Sequence, residues 1–132
     1  MADDVTMRVW RGAAGSGEFV DYTLPAQEGE VVLDVIHRIQ ATQAGDLACR
    51  WNCKAGKCGS CSAEINGKPR LMCMTRMDGL PEGPVTVAPM RAFPIIRDLV
   101  TDVSFNFEMA KRVPAFAPPP RPADGYRMAQ ID

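Results

Sequence analysis

Four of the five cysteines in this sequence fall into a single pattern. Cys53, Cys58 and Cys61 stand at C-x4-C-x2-C, and Cys73 follows after eleven intervening residues. Three thiols in one glycine-bearing loop, with a fourth brought in from elsewhere, make the ligand set of a [2Fe–2S] cluster. Each of two irons there takes two protein sulfurs to complete a tetrahedron with the bridging sulfides. Cys53, Cys58, Cys61 and Cys73 are therefore the candidate metal and cofactor ligands. Gly56 and Gly59 let the loop turn sharply and bring backbone N–H groups up to sulfur. Arg50, Lys54 and Lys57 add positive charge, which lowers thiol pKa. Nothing here requires an acid, a base or a nucleophile, and no residue is assigned as catalytic.

Other uses of these thiols fit less well. Five cysteines is an odd number, which does not suit a closed disulfide framework. Structural zinc sites usually place two C-x2-C pairs some distance apart, and only Cys58 and Cys61 form such a pair. A dithiol redox motif at Cys58-Gly-Ser-Cys61 would leave Cys53 and Cys73 unused. A Rieske centre needs two histidines, and His37 is alone. Zinc remains the alternative that spacing leaves open. Cys49 reads as a buried, inert core thiol, or else as a replacement ligand when one of the four is lost. His37 reads as a surface or boundary residue.

At 132 residues the chain makes one domain plus an extension, long enough for a hydrophobic core. A net charge of −1 gives no electrostatic reason to expect nucleic acid as partner. No apolar run approaches the ~20 residues that span a bilayer, so no direct membrane insertion is expected. Met1-Ala-Asp-Asp-Val-Thr is acidic and lacks an apolar core, unlike a secretory or mitochondrial presequence. The cytoplasm is the simplest address.

The elements that must position the thiols can be read in order. Val5 to Arg11 alternates, a half-buried strand, with Trp10 on the polar side where it covers an edge or meets a partner. Gly12 to Gly17 reads as a loose loop, and Phe19 to Leu24 as the return strand, ended by Pro25. Val32, Val35, Ile36 and Ile39 stand at i, i+3, i+4 and i+7, which predicts a helix with its stop at Gly45. Ser62 to Ile65 and Lys68 to Met72 flank Asn66-Gly67, a hairpin turn that needs positive φ at both positions. That hairpin delivers Cys73 back to the loop. Met72, Met74 and Met77 read as core packing that helps keep water from the site. Leu80 to Pro84 is a turn-rich connection, and Val85 to Ala88 is a last strand. From Pro94 onward, Ile95, Ile96, Leu99, Val100 and Val103 have helical spacing, and Phe105, Phe107 and Met109 add apolar surface. Pro114 to Pro122 reads as an extended strap, while Ala123 to Asp132 carries no pattern. The fold class is α+β: a small mixed sheet packed on one helix over residues 1–92, then a helical, proline-rich extension over 93–132.

The run Arg50-Trp51-Asn52-Cys53-Lys54-Ala55-Gly56-Lys57-Cys58-Gly59-Ser60-Cys61, then Glu64-Ile65-Asn66-Gly67 and Leu71-Met72-Cys73, resembles the iron–sulfur subunit of succinate dehydrogenase and fumarate reductase. Ile95-Ile96-Arg97-Asp98-Leu99-Val100 resembles the stretch by which that family leaves its first domain. Plant-type ferredoxins share only the three-cysteine loop. The resemblance implies a β-grasp, ferredoxin-like domain held in a larger assembly. There the [2Fe–2S] cluster takes electrons from the FAD of a flavoprotein subunit that oxidises succinate. They pass on through [4Fe–4S] and [3Fe–4S] clusters in a second domain to quinone in membrane anchor subunits. No cysteine follows Cys73, and the chain stops about where that second domain would begin, so it is expected to be an N-terminal portion. The implied place is peripheral, on the cytoplasmic face of the bacterial inner membrane. A free-standing ferredoxin and a structural zinc module are the competing readings.

Overall fold

The computed structural model describes residues 3–117. The two alternating segments at the start pair as strands and extend further than their patterns alone indicate. β1 (Asp4–Ala13) runs antiparallel to β2 (Ser16–Pro25), with Val5 opposite Leu24, Met7 opposite Tyr22 and Val9 opposite Val20. The glycine-rich stretch is not a loose loop. Both strands continue through it and leave a two-residue turn at Ala14-Gly15. β2 is an edge strand. Trp10 of β1 lies over Gly17, where any Cβ would collide with the indole. The aromatic thus roofs the bare backbone of that edge.

α1 (Val32–Thr42) buries Val32, Leu33, Val35, Ile36 and Ile39. At its start the Asp34 carboxylate accepts the Val31 N–H at 3.0 Å. At its end the N–H groups of Gln43 and Ala44 share the Ile39 carbonyl, at 2.9 and 2.8 Å. The helix therefore stops before Gly45, which lies in the turn beyond it. The buried face of α1 packs on Met7, Val9, Tyr22 and Leu24 of the first hairpin and on Ala63, Ile65, Val85 and Val87 of the strands that follow. Each such aliphatic side chain contributes about 1.5–3 kcal/mol on full burial.

β3 (Ser62–Ile65) and β4 (Lys68–Leu71) form the second hairpin, and β5 (Val85–Ala88) completes the sheet in the order β2-β1-β5-β3-β4. β1 and β5 pair in parallel, and the other neighbours are antiparallel. At the hairpin turn Asn66 and Gly67 have φ +50° and +81°, the left-handed pair that the Asn-Gly sequence favours. The architecture is a mixed five-stranded sheet with one helix across it, as expected.

The expected helix from Ile95 to Val103 does not form. Ile95–Arg97 (β6) and Val100–Thr101 (β7) make a small antiparallel hairpin instead. Its turn is held by Asp98, whose φ is +50°. The Asp98 N–H donates to the Gly12 carbonyl at 2.8 Å, and the Leu99 N–H donates to the Ala48 carbonyl at 3.2 Å. Leu99 joins the core while Ile96 stays exposed, so the aliphatics never share one face. Tertiary pinning at Asp98 has overridden local spacing. A helix does follow, α2 (Ser104–Arg112), whose first turn is met by the Asp102 carboxylate accepting the Ser104 N–H at 2.9 Å. None of its residues is buried. Of the proline strap, Pro114 to Ala117 has no regular structure; the rest, and Ala123 to Asp132, lie outside the described residues. Among those described, no helix is long and apolar enough to cross a membrane.

Candidate metal centre

Cys53, Cys58 and Cys61 lie on the irregular segment that joins α1 to β3, and Cys73 lies in a 3₁₀ turn (Met72–Met74) directly after β4. Hydrogen bonds to both sides hold that turn in place. The Met72 N–H reaches the Cys61 carbonyl at 3.2 Å, and the Thr75 carbonyl accepts the Val32 N–H at 2.8 Å. The Met77 N–H donates to Glu30 at 2.9 Å. Cys73 is thus fixed between the end of the cysteine loop and the start of α1.

The loop folds its backbone donors towards sulfur. Cys53 Sγ accepts the N–H groups of Ala55 at 3.3 Å, Lys57 at 3.2 Å and Cys58 at 3.3 Å. Cys61 Sγ accepts the Cys73 N–H at 3.4 Å. Cys58 Sγ lies 3.0 Å from Ser60 Oγ and accepts the Ser60 N–H at 3.4 Å. Three backbone donors thus converge on one sulfur. Positive φ at Lys54 (+56°), Gly56 (+70°) and Gly59 (+73°) produces this inward turning of N–H groups. Gly56 is needed for a second reason. Its missing Cβ would stand 2.9 Å from Cγ and 3.1 Å from Sδ of Met74, which lies across it.

The thiols meet in two couples: Cys53 with Cys58, and Cys61 with Cys73. Among the described residues, no three His, Cys, Asp or Glu side chains converge tightly enough to hold one metal ion. Paired thiolates are the arrangement in which a two-iron cluster takes two protein sulfurs per iron. The couples differ in environment. Cys58 is exposed, and the Ser60 hydroxyl and N–H, with Cys53, lower its thiol to about 6. Cys61 is buried, and burial pushes its thiol up.

Cys49 is half-buried rather than fully buried. Its thiol is nonetheless enclosed enough that burial, and then Cys61 nearby, push it up to about 12. It is inert at neutral pH. The flanking cations act differently from the expectation. Lys54 Nζ sits 4.8 Å over the Trp51 ring, and Ser60 and Cys53, not the lysines, lower Cys58. His37 meets Trp51 edge-on at 4.8 Å, so it braces the loop from α1 and takes no part in the cysteine set. Met72 is buried in the core and Met77 is half-buried against it, but Met74 is 60% exposed and packs on the loop instead.

Two contributors, Ser60 and Asp98, are not singled out from the sequence, and Met74 lies on the loop rather than in the core position expected of it. Ser60 carried a signal, since a short hydroxyl beside a tight turn often bonds back to its neighbours. Met74 over Gly56, and Asp98 beneath the loop's entry at Ala48, had none, because their partners are remote in the chain.

Residues 6–108 match the model of the 2Fe-2S iron-sulfur cluster binding domain. The chain is 41% identical over 107 residues to the fumarate reductase iron-sulfur subunit of Mycobacterium tuberculosis, which covers 79% of this chain and 43% of that protein. It is 46% identical over 67 residues to the succinate dehydrogenase iron-sulfur subunit of Bacillus subtilis, 51% of this chain and 26% of the relative. Among solved structures it is similar to a chain of the Mycobacterium smegmatis Sdh1 complex in the apo form. That likeness has a TM-score of 0.90 and 61% identity, and covers 98% of this chain and 55% of the other. The chain spans less than half the length of these two curated relatives.

Proposed function

This chain belongs to the 2Fe-2S iron-sulfur cluster binding domain family, and from that premise we propose that it is the first electron-carrying portion of the iron–sulfur subunit of a succinate dehydrogenase. Fumarate reductase is the same relay run in the opposite direction. A [2Fe–2S] cluster supplies one-electron storage, which divides the two electrons of a flavin into successive steps. The donor set fits that group. Cys53 and Cys58 would hold one iron and Cys61 and Cys73 the other. The N–H groups of Ala55, Lys57 and Cys58 stabilise negative charge on Cys53, and Ser60 does so for Cys58. No side chain moves a proton, and succinate does not bind here.

The observation that carries this reading is a loop of three thiols whose N–H groups turn towards sulfur, met by a fourth thiol, Cys73, from the turn after β4. The donor of electrons is a FAD-containing flavoprotein subunit. Their onward route runs through [4Fe–4S] and [3Fe–4S] clusters in the part of the relatives that this chain does not span, and then to membrane anchor subunits. In this reading the domain of residues 1–92 is followed by residues 93–132, the stretch of this sequence that precedes that part. The assembly sits on the cytoplasmic face of the bacterial inner membrane. The exposed Phe105 and Phe107 of α2, with Phe116, give such a partner apolar surface to cover.

The test is anaerobic purification, iron and sulfide analysis, and EPR on reduction, with a tag to recover bound partners. Two irons, two sulfides and one reducible spin per chain, with a co-purifying flavoprotein, support the reading. Colourless protein with one tightly held zinc overturns it. Recovery of soluble reductases alone makes the chain a free-standing ferredoxin.

A further inference from the structure

We propose that Met74 is a lid on the cysteine loop, and that its side chain sets how much water reaches the thiols and so the reduction potential of the site. The proposal rests on the cluster-binding reading above. Met74 is an oddity in its surroundings. Its neighbour Met72 is buried in the core, whereas Met74, one residue beyond Cys73, remains 60% exposed. An exposed methionine normally moves freely, yet this one is laid against the loop. Its Cγ and Sδ would stand only 2.9 and 3.1 Å from a Cβ on Gly56. Gly56 lies midway between Cys53 and Cys58, in the segment whose N–H groups bond to Cys53 Sγ. The thioether therefore bridges the arm that carries Cys73 and the loop that carries the other three thiols. Its inner side covers backbone that would otherwise face water.

The consequence follows from charge. Reduction adds a negative charge to a site already ringed by four thiolates, and water stabilises the more highly charged state. Apolar cover over the loop therefore lowers the potential, and uncovering the loop raises it. Cover also slows the approach of agents that extract iron.

The experiment uses the full chain, reconstituted anaerobically, as wild type, Met74→Ala and Met74→Leu. The midpoint potential is read by redox titration, and the loss of colour is timed in excess EDTA. Met74→Ala is expected to have a raised midpoint and to bleach about tenfold faster, the lower end of the effect of changes around a metal's ligands. Met74→Leu keeps the bulk and is expected to match the wild type in both. The lid is overturned if the alanine variant keeps the wild-type midpoint and bleaching rate, even with a lower melting temperature. A leucine variant that behaves like the alanine variant also overturns it. A wild type that takes up no cluster sinks the underlying reading along with the lid, whereas a coloured wild type with an unaltered alanine variant sinks the lid alone.

Discussion

The carboxylate of Asp98 accepts the backbone N–H of Ala48 at 2.8 Å, across fifty residues of sequence. Its other oxygen accepts the Gly12 N–H at 2.9 Å and lies 3.1 Å from Arg11 Nε. One buried side chain thus ties the end of β1, the entry to the cysteine loop and the β6–β7 turn. Removing it would leave two N–H groups without their acceptor and take one of two carboxylates from Arg11, which keeps Asp46 at 3.0 Å. Asp98→Ala should cost about 3 kcal/mol in urea unfolding, the range for breaking a buried charge pair. A loss under about 1 kcal/mol would show that water replaces the carboxylate without strain.

The ligand assignment is tested one sulfur at a time. Cys53→Ala and Cys73→Ala each take one thiolate from a different couple, and each should abolish or badly impair cluster assembly, read by visible absorption and iron content. Cys49→Ala should leave the spectrum nearly unchanged, because its thiol stays protonated far above neutral pH. A colourless Cys49 variant would mean the wrong four were chosen.

The couples should also differ in reactivity once iron is removed. With its thiol near 6, Cys58 is a thiolate at pH 7 and exposed, while Cys49, near 12, is neither. Iodoacetamide on cluster-free protein should label Cys58 at a rate that is already on its plateau at pH 7, and should leave Cys49 untouched. Ser60→Ala removes the largest cause of the shift, so the rate should then still be climbing between pH 7 and 8. Mass spectrometry of the labelled peptides decides it.

How much of this was legible beforehand depended on the range of the interactions. β3, its Asn66-Gly67 turn and β5 fall where period-two alternation and turn chemistry place them, since both signals are local. The cysteine spacing is likewise local in three of its four members, and the hairpin explains the fourth. The helical spacing from Ile95 to Val103 misleads because Asp98 answers to Gly12, 86 residues away, and spacing is blind to that. Lys54 is near the thiols in sequence, yet its ammonium faces Trp51. Met74 is an apolar residue that would suit the core, yet it lies exposed over Gly56, a contact that spacing alone does not signal.

The contact between His37 and Trp51 predicts a pH dependence with a definite sign. Burial, and then the charge of Lys54, lower the pKa of His37 below its usual value, with Asp34 pulling weakly the other way. The neutral ring is therefore the form that the folded state prefers, and the unfolded chain binds the proton more readily. Linkage then makes stability rise with pH between the lowered folded pKa and the ordinary value near ~6.5. On acidification that contribution is lost below ~6.5, when the unfolded histidine gains its charge first. Melting of the wild type should fall more between pH 7.5 and 5.5 than melting of His37→Gln, which cannot titrate. The difference isolates His37 from the carboxylates, which titrate lower and are common to both proteins. Equal slopes would mean that the pull of Asp34 cancels the effects of burial and of Lys54, so that the ring binds its proton equally well folded and unfolded.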